Sequence, residues 1–226
     1  MYPELYLLAI SPTELISWLA LCAFGTAALV SLFSFRHTHL SGLKRLSLLW
    51  ILLFLIDVVG NYMREMNLTN HWLYNIYDWI YYMGLAFLYY HQLQSPLVKT
   101  IIKIFLIVFP VFIVIDTVFI ESIYKLQGLV IVLGGNFVIF TAAAYLQQLY
   151  RSNDKERITR DPWFWFSVAF IIYFAATVPY LGMFNYILEL YPDFAGMYYY
   201  YIYISFTLVL HLLMIKGFLC RLNYQK

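Results

Sequence analysis

Charge is scarce in this chain. Only 12% of its 226 residues are Asp, Glu, Lys or Arg, too little polar side chain to cover a water-soluble globule of that length. Cysteine is nearly absent: Cys22 and Cys220 are the only two, and they fall in the outer and inner halves of separate apolar stretches. That separation excludes a disulfide between them and any paired-cysteine metal or redox motif, and leaves both as small apolar fillers. Long polar segments are missing too. The longest, 151–161, has mixed charge and leads through Pro162 into a new helix, so a soluble output domain would have to reside on another polypeptide. The start lacks the positive region of a cleavable signal and carries Glu4 instead. His-Glu-x-x-His, Gly-x-Ser-x-Gly and a phosphate-binding glycine loop are absent, so neither a catalytic activity nor a cofactor is expected. With a net charge of +2 and dispersed basic residues, nucleic acid is not an expected partner.

What is abundant is apolar surface: 63% of the chain is hydrophobic and 21% aromatic. Seven stretches, roughly 13–35, 44–66, 72–92, 100–121, 124–149, 162–188 and 197–220, are each long enough as a helix to cross a hydrocarbon core of about 30 Å. Of the 14 Lys and Arg, all but Arg64 and Lys125 fall after the first, third, fifth and seventh stretches. Basic residues flanking spans stay preferentially cytoplasmic. The expected fold is therefore an all-α integral membrane protein, a single seven-helix bundle over 1–226, amino terminus outside and carboxyl terminus cytoplasmic, in the cell membrane. Ser11-Pro12 reads as a helix cap followed by Pro in the first turn. Tyr198 to Tyr201 and Tyr203 open the last span as an interfacial belt. Asn67-Leu68-Thr69 matches a glycosylation acceptor in an outer turn.

The informative residues are those a bilayer penalises. An ionised carboxylate near mid-membrane costs about 2.5 to 3.5 kcal/mol, so Asp57 should face the bundle interior. Asn61 and Arg64 share its helical face, and Asn75, Asp78 and Tyr82 form the corresponding face of the third span. Tyr173, Thr177 and Tyr180 line the sixth span beside a kinking Pro179, with Asn185 beyond. Tyr203 and His211 mark the seventh, Asp116 closes the fourth and Asn136 sits within the fifth. Convergence of these faces would make an aromatic, hydrogen-bonding cavity open to the outside and floored near Asp57, suited to a small or lipidic ligand. Each group also has an architectural reading, as an interhelical hydrogen bond. Gly128, Gly134, Gly135 and Ala142 to Ala144 signal close packing, within the bundle or in a homo-oligomer. His37 and His39 read as solvated turn residues.

Tyr77-Asp78-Trp79 resembles the counterion segment of the microbial rhodopsins, and Lys216 their retinal lysine. The chain departs from that family where Leu212 replaces a carboxylate one turn before the lysine. Small seven-span carriers of the PQ-loop group are similar in length, but this chain has no Pro-Gln pair and no evident repeat. No family is assigned. The expected function is a receptor-like sensor or membrane-embedded regulatory subunit that signals to a cytoplasmic effector. The alternative is a solute carrier coupled to protons or cations through an intramembrane Asp.

Overall fold

The computed structural model describes residues 12–37, 41–152 and 155–222. The segment 1–11 with the proposed Ser11 cap, and His39, lie outside the described residues, as do the side chains of His37, Lys155, Arg157, Arg221 and Tyr198 to Tyr200, and all of Lys226.

In hydrocarbon each backbone N–H and C=O must be satisfied within its own segment, which makes helix the economical solution for an apolar chain. The elements are α1 (Pro12–His37), α2 (Ser41–Glu65), α3 (His71–Gln92) and α4 (Pro96–Ile115), the last running on through a π-helical turn, Asp116–Ile120. Next come α5 (Gly128–Arg151), a short 3-10 helix (Lys155–Arg160) and α6 (Pro162–Gly182). Two short helices follow, α7 (Phe184–Leu190) and α8 (Pro192–Tyr198), then a second π-helical turn (Tyr199–Tyr203) and α9 (Ile204–Leu222). Among the described residues, six helices are long and apolar enough to cross a membrane: α1, α2, α4 with its π-helical turn, α5, α6 and α9. The chain is thus an all-α, multi-pass integral membrane protein.

Helix starts are written locally. Ser95 and Asp161 each precede a proline at the first helical position; the Ser95 hydroxyl accepts from the Val98 N–H (3.5 Å) and the Asp161 carboxylate from the Trp163 N–H (2.8 Å). The other Asp161 oxygen accepts from the Tyr145 hydroxyl at 2.8 Å, which ties α5 to the start of α6. α2 stops at Asn67, whose φ of 57° places it in the left-handed region. The Leu68 N–H then reaches the Met63 carbonyl and the Asn67 N–H the Arg64 carbonyl, a Schellman stop with Asn in the usual glycine position.

The helices α1, α2, α3, α5, α6 and α9 close a ring, each packed on the next and α9 back on α1, while α4 lies outside against α3 and α5. Consecutive long helices run in opposite directions, as Phe35 beside Lys44 and Phe24 beside Phe54 record for α1 and α2. α3 is 22 residues long, about 33 Å, but six tyrosines, two tryptophans, Asn75 and Asp78 keep it out of the six helices apolar enough to cross a membrane. Its position in the ring explains that composition, because its polar and aromatic groups face protein.

Several boundaries and roles expected from the sequence are corrected. The sixth stretch does not reach 188: α6 ends at Gly182, and Asn185 belongs to α7. α5 starts at Gly128 rather than 124, because the preceding residues form a turn clipped by Asn75 and Asn185. The glycines work inside the bundle. Gly134 leaves room for the Tyr82 ring, and Gly128 lies against the Gly182 backbone. Cys22 is exposed on the outer surface of α1 rather than filling the core.

Candidate functional site

α2 and α3 leave a short turn antiparallel, and their side chains mesh in a fixed register. Asp57 meets Tyr74, whose hydroxyl donates to the carboxylate at 3.3 Å. Seven residues deeper on each helix, about 10.5 Å, Trp50 meets Tyr81 with ring centroids 6.2 Å apart. Two tiers on the bundle axis result.

The deeper tier is closed. Trp50 packs edge-on to Phe24, Tyr81 and His211 and tilts against Phe170, while His211 stacks on Phe24 at 4.2 Å. Trp50, Tyr81 and His211 are 1%, 3% and 2% exposed. Yet Trp50 Nε1, the Tyr81 hydroxyl and His211 Nδ1 have no hydrogen-bond partner. Burying such groups unpaired is costly, so three of them in one cluster is an unusual concentration. Below them Tyr89, Trp163, Phe166, Phe170 and Phe218 form a dry aromatic core, with the Tyr89 and Ser167 hydroxyls bonded to each other at 2.9 Å.

The upper tier is open. Asp57, Asn61, Tyr74, Tyr77, Asp78 and Tyr203 all keep accessible surface. Asp78 is the decisive case. It sits three, four and seven residues before the buried Tyr81, Tyr82 and Leu85, and so in the middle of the face that α3 turns toward the axis. Its carboxyl nevertheless remains partly accessible and has no hydrogen-bond or ion-pair partner among the described residues. Tyr77 lies within electrostatic range of both Asp57 and Asp78, as well as Tyr81 and Tyr203. On α6, Tyr173 is hydrogen-bonded to Tyr203. The π-helical turn that ends in Tyr203 widens the backbone at that point, a device common at functional sites.

At the rim, the Arg64 guanidinium donates to the Asn61 amide oxygen (2.8 Å), and the Asn61 amide donates to the Asp57 carboxylate (3.2 Å). Arg64 is thus linked to Asp57 through Asn61 and also acts on it directly by its charge. The other groups expected at the site lie elsewhere. Asn75 donates to the carbonyls of Ile123 and Lys125 (2.8 Å each) and accepts from the Gln127 N–H, so it clips the turn between α4 and α5. Tyr82 wedges between Phe109, Phe174 and Gly134, and Thr177 bonds its own helix at the Tyr173 carbonyl. Tyr180 packs on Phe184 at the end of α6. Asn136 is exposed, its amide on the Val132 carbonyl, in an open groove of about 360 Å³ between α5 and α6 with Phe174 and Pro179. Asp116 is buried with both carboxyl oxygens unpartnered, away from the axis.

Tyr74, Tyr77, Tyr81 and Trp50 were missed by pattern reading. The signal was present: Trp50, Asp57 and Arg64 repeat every seven residues on α2, and Tyr74 and Tyr81 repeat every seven on α3. Lys216, the counterpart of a retinal lysine, is exposed and lies over the Trp165 ring at 5.6 Å, off the axis. In comparisons with family models, curated proteins and solved structures, nothing matches the chain.

At the opposite end from the crevice the basic residues gather on aromatic faces. Lys44 lies over Phe35, Arg45 over Phe87, and Lys99 and Lys103 over Tyr90, each 5.6 Å from the ring centroid. Such contacts hold cations at the edge of an apolar slab.

Proposed function

We propose that this chain is a seven-span, receptor-like sensor or membrane-embedded regulatory subunit of the cell membrane, without catalytic activity of its own. Its axial crevice opens to the outside and takes a small or lipidic ligand; its basic end faces the cytoplasm and a separate effector protein. The length of α3 and its place in the ring between two apolar helices support a seventh crossing. The gathering of Lys and Arg at one end supports the orientation. The observation that carries the reading is Asp78: a carboxyl turned to the bundle axis, unpartnered and still accessible. A polar group at that depth is expensive, and such groups commonly mark a ligand or ion site. Pocket occupancy could reach the cytoplasmic end through small helix shifts, since α3 carries Asp78 near one end and His91 near the other.

A second reading, a carrier coupled to protons or cations, is favoured by one feature. The unpartnered atoms of Tyr81 and His211 continue the polar line inward from Asp78. One experiment separates the two. With Cys22 and Cys220 replaced by alanine, Asp78→Cys is treated with a membrane-impermeant maleimide on right-side-out and inverted vesicles. Labelling from the outside alone supports the sensor; labelling from both faces supports the carrier. Labelling from neither face removes the pocket and leaves only an anchoring subunit.

A further inference from the structure

Resting on the outward pocket, the chemistry of its lining names the class of molecule it takes. Two carboxylates, Asp57 and Asp78, stand in the crevice. Among the described residues the basic side chains in that half are Arg64, engaged with Asn61 at the rim, Lys125, exposed on the α4–α5 turn, and His71, exposed at the start of α3. An anion would meet two like charges. A neutral molecule could offer Asp78 only a hydrogen bond, whereas a cation also stabilises the ionised carboxylate. Inorganic divalent ions want several oxygen ligands at once, and no group of three or more His, Cys, Asp or Glu capable of holding a metal is present among the described residues.

The walls point the same way. Tyr74 and Tyr77 meet edge to face at 6.3 Å, Tyr77 and Tyr81 at 5.8 Å, and Tyr173 and Tyr203 stand opposite with centroids 6.3 Å apart. Aromatic faces carry negative potential and attract organic cations most strongly where water is excluded. The Tyr81 hydroxyl, 3% exposed and without a partner, lies in electrostatic range of Asp78 and Tyr203. Its oxygen is buried at the boundary between the two tiers. The tier beneath it is sealed, so a bound molecule can come no deeper than Tyr81 and Trp50. We propose that the crevice binds a small organic cation, a primary or quaternary amine, with its charge at the Asp78 carboxylate and its organic body among Tyr77, Tyr81 and Tyr203.

The test compares benzylamine and tetramethylammonium with the neutral benzyl alcohol, by calorimetry at neutral pH on the full chain in nanodiscs. The amines should bind saturably and at least about tenfold more tightly than the alcohol, because only they compensate the carboxylate. Asp78→Asn should cost the amines about tenfold or more and leave the alcohol unchanged, and Tyr81→Phe should cost benzylamine a few-fold. Amine and alcohol binding with equal affinity, or no amine binding at all, would overturn the cation assignment even if Asp78→Cys is labelled from outside. The comparison of ligands on the unmodified chain decides the question without any variant having to fold. Labelling from neither face would instead remove the pocket on which the assignment rests.

Discussion

Trp50 and Asp57 stand on the same face of α2, seven residues apart, and their surroundings differ in kind. Around Trp50 the bundle is closed by rings from α1, α3, α6 and α9, all packed at aromatic contact distance. Around Asp57 and Asp78 the side chains are polar and both residues keep some accessible surface. One tier is filled with packed rings and the other keeps polar groups that are only partly buried. In a bilayer, helices gain nothing from hiding apolar groups from lipid, so close packing and hydrogen bonds must hold the bundle together. Stability should therefore concentrate in the filled half, while the open half keeps groups that cost stability, as binding sites commonly do.

If that division is real, the largest effect belongs to the floor. Trp50→Ala removes a ring in contact with Phe24, Tyr81, Phe170 and His211 and should cost about 3 kcal/mol or more. Reversible unfolding in mixed micelles measures it; a loss under about 1 kcal/mol would mean the floor is not the stable half. Next comes the clip on the open side. Asn75→Leu leaves the Ile123 and Lys125 carbonyls without their donor and should cost about 2 kcal/mol. Faster proteolysis within the turn 121–127 should accompany that loss, and unchanged cleavage there would contradict the clip.

The sequence displayed much of this. Hydropathy located seven long stretches, six of which are helices long and apolar enough to cross a membrane among the described residues, and the basic residues marked one end of the bundle. Asp57 and Asp78 were legible as groups a bilayer penalises, and both are only partly buried among the described residues. What failed was assignment by shared polarity. Asn75 looked like Asp78 because they lie three residues apart on α3, yet that spacing turns them about 60° apart, and Asn75 points at the α4–α5 turn. Asn136 looked interior because it is polar, but its amide bonds its own helix and its side chain faces a groove on the outside. Tyr82 was read as lining the polar pocket with Asp78, whereas it is a core residue wedged against Phe109 and Phe174. Which face of a helix a ring occupies depends on neighbours that a single helical wheel cannot supply.

Two smaller effects would sharpen the contrast, and the first reverses sign. Asp78→Leu removes a carboxyl that nothing in the bundle pairs, so it should raise stability by about 1 kcal/mol while abolishing amine binding. Destabilisation would show that Asp78 has a structural partner and that the crevice is not a binding site.

The smallest effect probes the seam between the tiers. Tyr74→Phe keeps the ring that packs beside Gly60 and Tyr77 but takes away the hydroxyl that donates to Asp57. That hydrogen bond is long, at 3.3 Å, and its acceptor keeps the Asn61 amide and accessible surface as substitutes. Removing it should cost about 0.5 kcal/mol, the low end for a hydrogen bond between protein groups. The same deletion at Tyr81 removes no hydrogen bond at all, because that hydroxyl has no partner to lose. Tyr81→Phe should therefore be neutral or slightly stabilising without ligand, and its cost should emerge only when an amine is bound. A double-mutant cycle of Tyr74→Phe with Asp57→Asn should recover the coupling across the α2–α3 seam, whereas Tyr81→Phe combined with Asp57→Asn should be additive. Coupling in the second pair and not the first would mean that Asp57 turns toward the floor, and the division between an open and a closed tier would have to be redrawn.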